Sequence, residues 1–490
     1  MRERVWAGIA FAITAASLAA LSGCYGLRSS SGGGETKPPP GPLPTTTGDV
    51  LLPPGYVIEK VASGLTYPAG VAFDEGGTPY VVEAGYAYGE VFTAPRLLRI
   101  ERDGRFTVVL SGKDEPWNGI ARGKGAFFIA AGGELEGGKI LRVTEDGAVK
   151  VLVTGLPSLG DHQTDGPAVG PDGLVYFGQG TATNSGVVGE DNADYGWLKR
   201  HPDFHDVPCK DIKLTGENFK SKDPLRGGEV ETGAFSPFGT KTTAGQVIAG
   251  KVPCSGSVLR VSQDGGPVEL VAWGFRNPFG LAFAPDGGLY VTDNGFDERG
   301  SRPIFGAGDY LWAVKPGAST GTFYGWPDFA GGESVTAQRW KPPTREQPKA
   351  LLAEPQSPPK PVAIFGVHSS SNGFDFSRSQ AFGHVGDAFV AQFGDLAAKT
   401  GKVLAPVGFK VVRVDVKSGV IEDFATNRGA TNGPASKLKT GGLERPIAAR
   451  FDPSGAALYV VDYGIMTVSD KGISSKAGSG ALWKIMRRGS

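Results

Sequence analysis

The chain has 490 residues, with 76 Gly, 36 Pro, 27 Phe, 13 Tyr and 8 Trp, and 40% of it is hydrophobic. That apolar content excludes a disordered chain, the lack of a G-X-Y period excludes collagen, and each interior Gly costs a helix about 1 kcal/mol relative to Ala. Lys plus Arg equal Asp plus Glu at 50 each, so no broad basic face for nucleic acid is implied.

In chain order, Arg2 and Arg4 precede an apolar run from Trp6 to Leu21, followed by Ser22-Gly23-Cys24. A basic start, an apolar stretch and small residues read as an export signal over residues 1–24. The Leu-Ser-Gly-Cys ending resembles a bacterial lipobox, which implies lipidation at Cys24; an ordinary signal peptide or an uncleaved anchor is the alternative. The expectation is an exported protein, lipid-anchored to a membrane on its periplasmic or extracellular side. Residues 25–49 form a Ser/Gly-rich and then Pro-rich tether. Setting Cys24 aside leaves Cys209 and Cys254, an even remainder that suggests one disulfide in an oxidising compartment, with two unpaired thiols as the alternative. There is no Cys-x-x-Cys-His and so no covalent c-type haem.

Residues 50–490 repeat one unit. A Gly-x-Ala-Phe-like phrase, a turn and an aromatic-rich strand recur as GVAFDEGGTPYVVEAG from Gly70, GIARGKGAFFIAAGG from Gly119 and GPAVGPDGLVYFGQG from Gly166. Further copies are GLAFAPDGGLYVTDNG from Gly280, a looser one from Asn372, and ARFDPSGAALYVVDYG from Ala449. The Pro-Asp-Gly and Pro-Ser-Gly centres are hairpin turns. A second hairpin follows each copy, as in KILRVTEDGAVKVLVTG, and in the fourth copy it looks abbreviated to YLWAVKPG. Six units of four strands predict an all-β, six-bladed β-propeller. The sixth unit stops one strand short, and YVIEKVASGL from Tyr56 resembles the missing strand, so the N-terminal strand is expected to close the ring. The third to fifth units carry long insertions, and the one from Thr181 to Ser255 holds both remaining cysteines.

Propeller geometry brings the residues before each inner strand to one mouth of the central channel. These are Tyr67, Trp117 with Asn118, His162 with Asp165, Arg276 with Asn277, His368 with Asn372, and Arg445. The ends of the second strands add Glu83, Asp293, Gln392 and Asp462. Such a polar cleft is the default binding site. Each residue also has a plainer reading: His162 capping a turn, Arg276-Asn277-Pro278 a turn with a surface ion pair, and the acids solvated rim charges. His201 and His205 are four residues apart, but no Glu or Cys completes a metal motif with them.

These residues resemble the glucose/sorbosone dehydrogenase family, six-bladed propellers that use pyrroloquinoline quinone (PQQ) and calcium. His162, followed by Gly170-Pro171-Asp172-Gly173, has the spacing of the family's catalytic histidine, and Arg276-Asn277-Pro278-x-Gly280-Leu281-Ala282-Phe283 matches its cofactor-lining stretch. Asn294-Gly295-Phe296 falls where the family binds calcium through an amide and two backbone carbonyls, and Arg445 where it has a cofactor-binding arginine. Tyr324-Gly325-Trp326-Pro327 matches a further signature. The resemblance implies His162 and Arg276 as catalytic residues. It implies Arg276, Asn277, Asn294, His368 and Arg445 as PQQ contacts, and Gly295 and Phe296 as Ca2+ ligands. A second family arginine is replaced by Ile447, and a family lysine has no counterpart near Gln392-Phe393-Gly394; Arg450, Lys399 and Arg299 are the candidate substitutes.

The expected activity is oxidation of a sugar or alcohol by hydride transfer to the quinone. His162 would be the base, oriented by Asp161 or Asp165, and an external acceptor would take the electrons. Two other classes compete. One is a calcium-dependent lactonase-type hydrolase with Glu83, Asp293 and Asp462 around an axial metal. The other is a non-catalytic propeller that binds glycans or proteins.

Overall fold

Two glycine types shape the repeat. Turn glycines such as Gly287, at φ 85°, take a backbone conformation that strains any side chain. Inner-strand glycines allow neighbouring blades to touch: a Cβ on Gly119 would lie 1.6 Å from the Gly166 carbonyl oxygen of the next blade. The computed structural model describes residues 47–87, 91–113, 116–133, 137–193, 196–314, 321–395, 406–469 and 472–489. Its strands pair into six antiparallel four-stranded sheets, two of which gain a short fifth strand, and this is a six-bladed β-propeller.

From axis to rim, blade 1 comprises Pro68–Phe73, Pro79–Glu83, Arg96–Ile100 and Phe106–Ser111, and blade 2 comprises Gly119–Gly123, Ala126–Gly133, Gly137–Val143 and Val149–Leu156. Blade 3 is Thr164–Val169, Leu174–Gln179, Ser257–Ser262 and Glu269–Trp273; blade 4 is Pro278–Phe283, Leu289–Asp293, Gly308–Val314 and Ala363–Val367. Blade 5 is Ser371–Phe376, Ala388–Gln392, Lys410–Asp415 and Val420–Asn427. Blade 6 has Pro446–Phe451, Ala457–Asp462 and Gly480–Arg487, and Tyr56–Leu65 completes it, with Tyr56 opposite Arg487 and Leu65 opposite Gly480. The N-terminal strand therefore ties the ring shut. Apolar side chains pack between adjacent blades, for example Phe382, Phe389 and Phe424 of blade 5 against Phe451 of blade 6.

One detail differs from expectation. The second hairpin of unit four is not abbreviated. Tyr310 to Val314 belong to its third strand, and the fourth strand, Ala363–Val367, returns after an insertion to place Ile364 opposite Tyr310. A buried ion pair pins that insertion: Arg302 Nη2 donates to Asp328 at 2.7 Å and to the Lys349 carbonyl at 2.8 Å, and Asp328 accepts from the Leu351 and Leu352 amides. Just ahead of the first strand, Val50–Leu51, Thr47–Asp49 form a single 3-10 turn whose Asp49 carbonyl accepts from the Arg428 amide at 2.7 Å.

The blade 3 insertion carries a short helix, Trp197–Arg200, and two small hairpins, and Cys209 and Cys254 are joined in a disulfide across 45 residues. Residues 1–46, with the export signal, Cys24 and most of the tether, lie outside the described residues. Among the described residues no helix is long and apolar enough to cross a membrane.

Candidate functional site

The loops entering blades 3, 4 and 5 assemble one polar centre. His162 precedes the inner strand of blade 3. Its Nδ1 lies 3.0 Å from the Thr181 carbonyl oxygen and 3.1 Å from Thr181 Oγ1, whose own hydrogen goes to the Thr183 carbonyl at 2.7 Å. Both neighbours offer only lone pairs to the ring, so Nδ1 carries the proton and Nε2 is left as the basic nitrogen. Burial, and then the Arg276 and Arg299 guanidiniums, push the imidazole well below the ordinary histidine value. His162 is thus neutral near pH 7. A Cβ on Gly180 would stand 2.3 Å from His162 Cβ, so the ring's seat depends on that glycine.

Arg276 and Asn277 precede the inner strand of blade 4. Arg276 is buried, and its Nε donates to the Asn184 carbonyl (3.2 Å) and Oδ1 (3.1 Å). Its Nη1 reaches the Asn294 carbonyl at 3.4 Å, and its Nη2 pairs with Asp297 at 2.8 Å. Asn277 Nδ2 donates to Asn294 Oδ1 at 2.9 Å, and Asn294 Nδ2 donates to the Ser371 carbonyl at 3.0 Å, which links blades 4 and 5. His368, in the loop entering blade 5, places Nδ1 3.6 Å from Asp297 Oδ1. Its φ of 62° is in the left-handed region, and Ser370 follows at 49°. Asp309 holds this strained loop by accepting the Ser371 amide at 2.7 Å and the Ser369 hydroxyl at 2.9 Å.

Asp297 and Arg299 are the hub that motif reading passed over or left marginal. Arg299 pairs with Asp161, with Asp191 at 2.6 Å and with Asp297 at 3.2 Å. Burial alone would raise the Asp297 carboxyl, but Arg276, Arg299 and His368 hold it well below the carboxylate range. Burial raises Asp191 to about 6 against the pull of Arg299. Asn184 completes the knot: its Oδ1 accepts the Asp297 amide at 2.9 Å, and its Nδ2 donates to the Asp297 carbonyl at 2.8 Å. The Ser/Thr/Asn-rich run from Thr181 to Ser185 was the available signal, since an uncharged polar stretch opening an insertion suits burial with its hydrogen bonds satisfied. A cleft of about 530 Å3 lies beside Asp191 and Gly300, lined also by Glu190, Lys222, Asp223 and Arg345.

The structure gathers His162, Arg276, Asn277, Asn294 and His368, and it gives the other candidates different partners. Arg445 stands apart. It has no accessible surface, its Nη1 faces the carbonyls of Phe393, Gly394 and Asp395, and it stacks over Phe393 and Phe409 at 5.1 and 4.9 Å. Neither Asp161 nor Asp165 hydrogen-bonds His162: Asp161 is paired with Arg299, and burial raises the Asp165 carboxyl well above its ordinary value against the pull of Asn118. Glu83, Asp293 and Asp462 do not converge on an axial metal. Each accepts backbone amides of its own blade's entry loop: Thr66 on Glu83 (2.7 Å), Arg276 and Asn277 on Asp293 (3.0 and 2.7 Å), and Glu444 and Arg445 on Asp462 (2.8 Å each). They are backbone anchors that recur with the repeat.

For calcium, Gly295 donates its amide to Asp309 at 3.0 Å and Phe296 lies in an apolar cluster, so only their carbonyls and the Asn294 amide are available. Among the described residues no group of three or more His, Cys, Asp or Glu is placed to hold a metal ion.

The sequence matches no family model and no curated protein. Solved structures do match. The PQQ-bound aldose sugar dehydrogenase of Streptomyces coelicolor is 17% identical, with 89% of this chain and 100% of that chain covered at a TM-score of 0.50. The holo PQQ domain of pyranose dehydrogenase from Coprinopsis cinerea is 15% identical, with 91% and 98% covered at 0.54. The calcium structure of a Trichoderma reesei carbohydrate-active enzyme of family AA12 is 14% identical, with 92% and 100% covered at 0.52. The chain is therefore a six-bladed propeller that shares its fold with PQQ-dependent sugar dehydrogenases.

Proposed function

We propose that this chain is an oxidoreductase that removes hydrogen from a hydroxyl-bearing carbon of a sugar or alcohol, with His162 as the base. The observation that carries the reading is the fixed imidazole: Nδ1–H is held by Thr181, the ring is kept neutral by burial and two guanidiniums, and Nε2 is left to accept a proton. The substrate O–H proton goes to Nε2, and its C–H hydrogen leaves as hydride, so a carbonyl is formed. A bound quinone supplies the hydride acceptor. Asn277 and Asn294 line the same arc and offer amide groups to a developing oxyanion. The carboxylates and cations of the neighbouring cleft suit a polyhydroxyl substrate.

PQQ and Ca2+ are the cofactors that the likeness suggests. Carbonyls of Gly295 and Phe296 with the Asn294 amide are compatible with a calcium ion. The described residues do not fit the three carboxylates of PQQ, because Arg276, Arg299 and Arg445 are all engaged within the chain. Lys399 lies outside the described residues. In the same proposal the enzyme is exported, anchored through a lipid on Cys24, and reoxidised by an external acceptor.

The test is dye reduction by the full chain over a panel of sugars and alcohols, after incubation with Ca2+ and with PQQ or an uncharged quinone. His162→Ala should retain quinone binding and lose turnover. Absence of dye reduction by the wild type with every quinone would sink the proposal.

A further inference from the structure

The centre contains its own carboxylate, Asp297, on Arg276. Asp297 Oδ2 sits 2.8 Å from Arg276 Nη2 and 3.2 Å from Arg299 Nε. The pair is locked rather than swinging, because Asn184 binds the backbone of Asp297 on both sides and binds Arg276 Nε as well. The Asp297 side chain keeps 24% of its surface exposed, against 5% for Arg276, so a ligand approaching the guanidinium meets the carboxylate first. The charge count points the same way. Two guanidiniums, Arg276 and Arg299, face three carboxylates, Asp161, Asp191 and Asp297, while His162 is neutral. Without a bound cation, a trianion entering here meets no excess of guanidinium over carboxylate and no free bidentate donor on Arg276 or Arg299.

Resting on the dehydrogenase reading, we propose that Asp297 is a specificity-determining residue that occupies Arg276 and selects an uncharged quinone as oxidant over a polycarboxylated one such as PQQ. Asn277 and Asn294 then serve as neutral hydrogen-bonding partners for quinone oxygens. The quinone takes the hydride and, after a proton from water, leaves as the quinol.

The experiment is equilibrium titration of the full-length protein with PQQ plus Ca2+ and, separately, with menadione. Tryptophan quenching is the readout, since Trp326 Nε1 donates to the Asn184 carbonyl at 3.2 Å and reports on this knot. Wild type is expected to bind menadione in preference to PQQ. Asp297→Asn should raise PQQ affinity about tenfold, the scale of one charge-assisted hydrogen bond, with menadione affinity unchanged within about twofold. Asp297→Ser provides a second variant should the first fold poorly. Wild type binding PQQ as tightly as the variants, or more tightly than menadione, would overturn the proposal, and that arm needs no variant. Dye reduction is scored separately: the expected binding preference without turnover of any sugar or alcohol would refute the dehydrogenase reading and leave the selectivity standing.

Discussion

Arg299→Met probes whether the centre is held together by charge. Arg299 keeps 20% of its side chain exposed and pairs with three carboxylates, of which Asp161 is 2% and Asp191 14% exposed. Met preserves most of the aliphatic stem, so the loss is chiefly electrostatic. Breaking a buried pair by removing one partner costs about 3–5 kcal/mol, because an uncompensated charge stays behind. The pH dependence carries the stronger test. In the wild type the Asp297 carboxyl is depressed, so its contribution is present above the ordinary carboxylate range and fades as pH falls. In the variant Asp191 loses its cation and burial raises it further. Raised carboxyls stabilise at low pH and lose that contribution as pH rises, at about 1.4 kcal/mol per unit of displacement. The cost of the substitution should therefore grow from about pH 4.5 to about pH 7.5, as read by urea unfolding at each pH. A cost under about 1 kcal/mol, or one equal at both ends of that range, would refute the argument.

Three further outcomes follow from the geometry. Gly180→Ala puts a methyl 2.3 Å from His162 Cβ; a shift of about 1 Å at a reacting group lowers turnover about a hundredfold, and an unchanged kcat would show that the ring's position is not critical. Cys254→Ser opens a loop of 45 residues and should lower stability by about 4 kcal/mol in denaturant unfolding. Equal stability of oxidised and reduced wild type would contradict this. Asp206, raised to about 7 by burial, accepts from the Ala182 amide at 2.7 Å and from Thr183 Oγ1 at 2.5 Å, so it supports the Asn184 loop. Its stabilising contribution is complete below the usual carboxylate range and is lost as pH rises through about 7. Asp206→Asn should flatten that decline, and an unaltered pH–stability profile would assign it elsewhere.

Several residues of this polar centre were legible because chain order places them. His162, Arg276, Asn277 and His368 each precede an inner strand, and propeller closure turns entry loops toward a common mouth. The same rule included Arg445, but it is silent on which way a side chain turns. Arg445 turns inward onto three carbonyls and two rings. Glu83, Asp293 and Asp462 were misread for a related reason: a carboxylate at the end of a second strand satisfies either a metal or unpaired amides, and the backbone supplied the amides.

The sequence by itself determined the architecture. Its glycines mark turns and blade contacts, its phrase recurs six times, and its spare strand at Tyr56 closes the last blade. Those features are local, carried by backbone conformation and by pairing partners that repeat in order. Tertiary structure alone decided the chemistry of the mouth. Asn184, Asp297 and Arg299 lie far apart in chain order from His162, or carry no motif, and only the folding back of the insertion at Thr181–Ser185 onto the loop after Asn294 brings them within hydrogen-bond distance. Charge acts through space, so whether Arg276 is a free cation or one already bound to Asp297 was settled by that packing rather than by the motif in which the arginine stands.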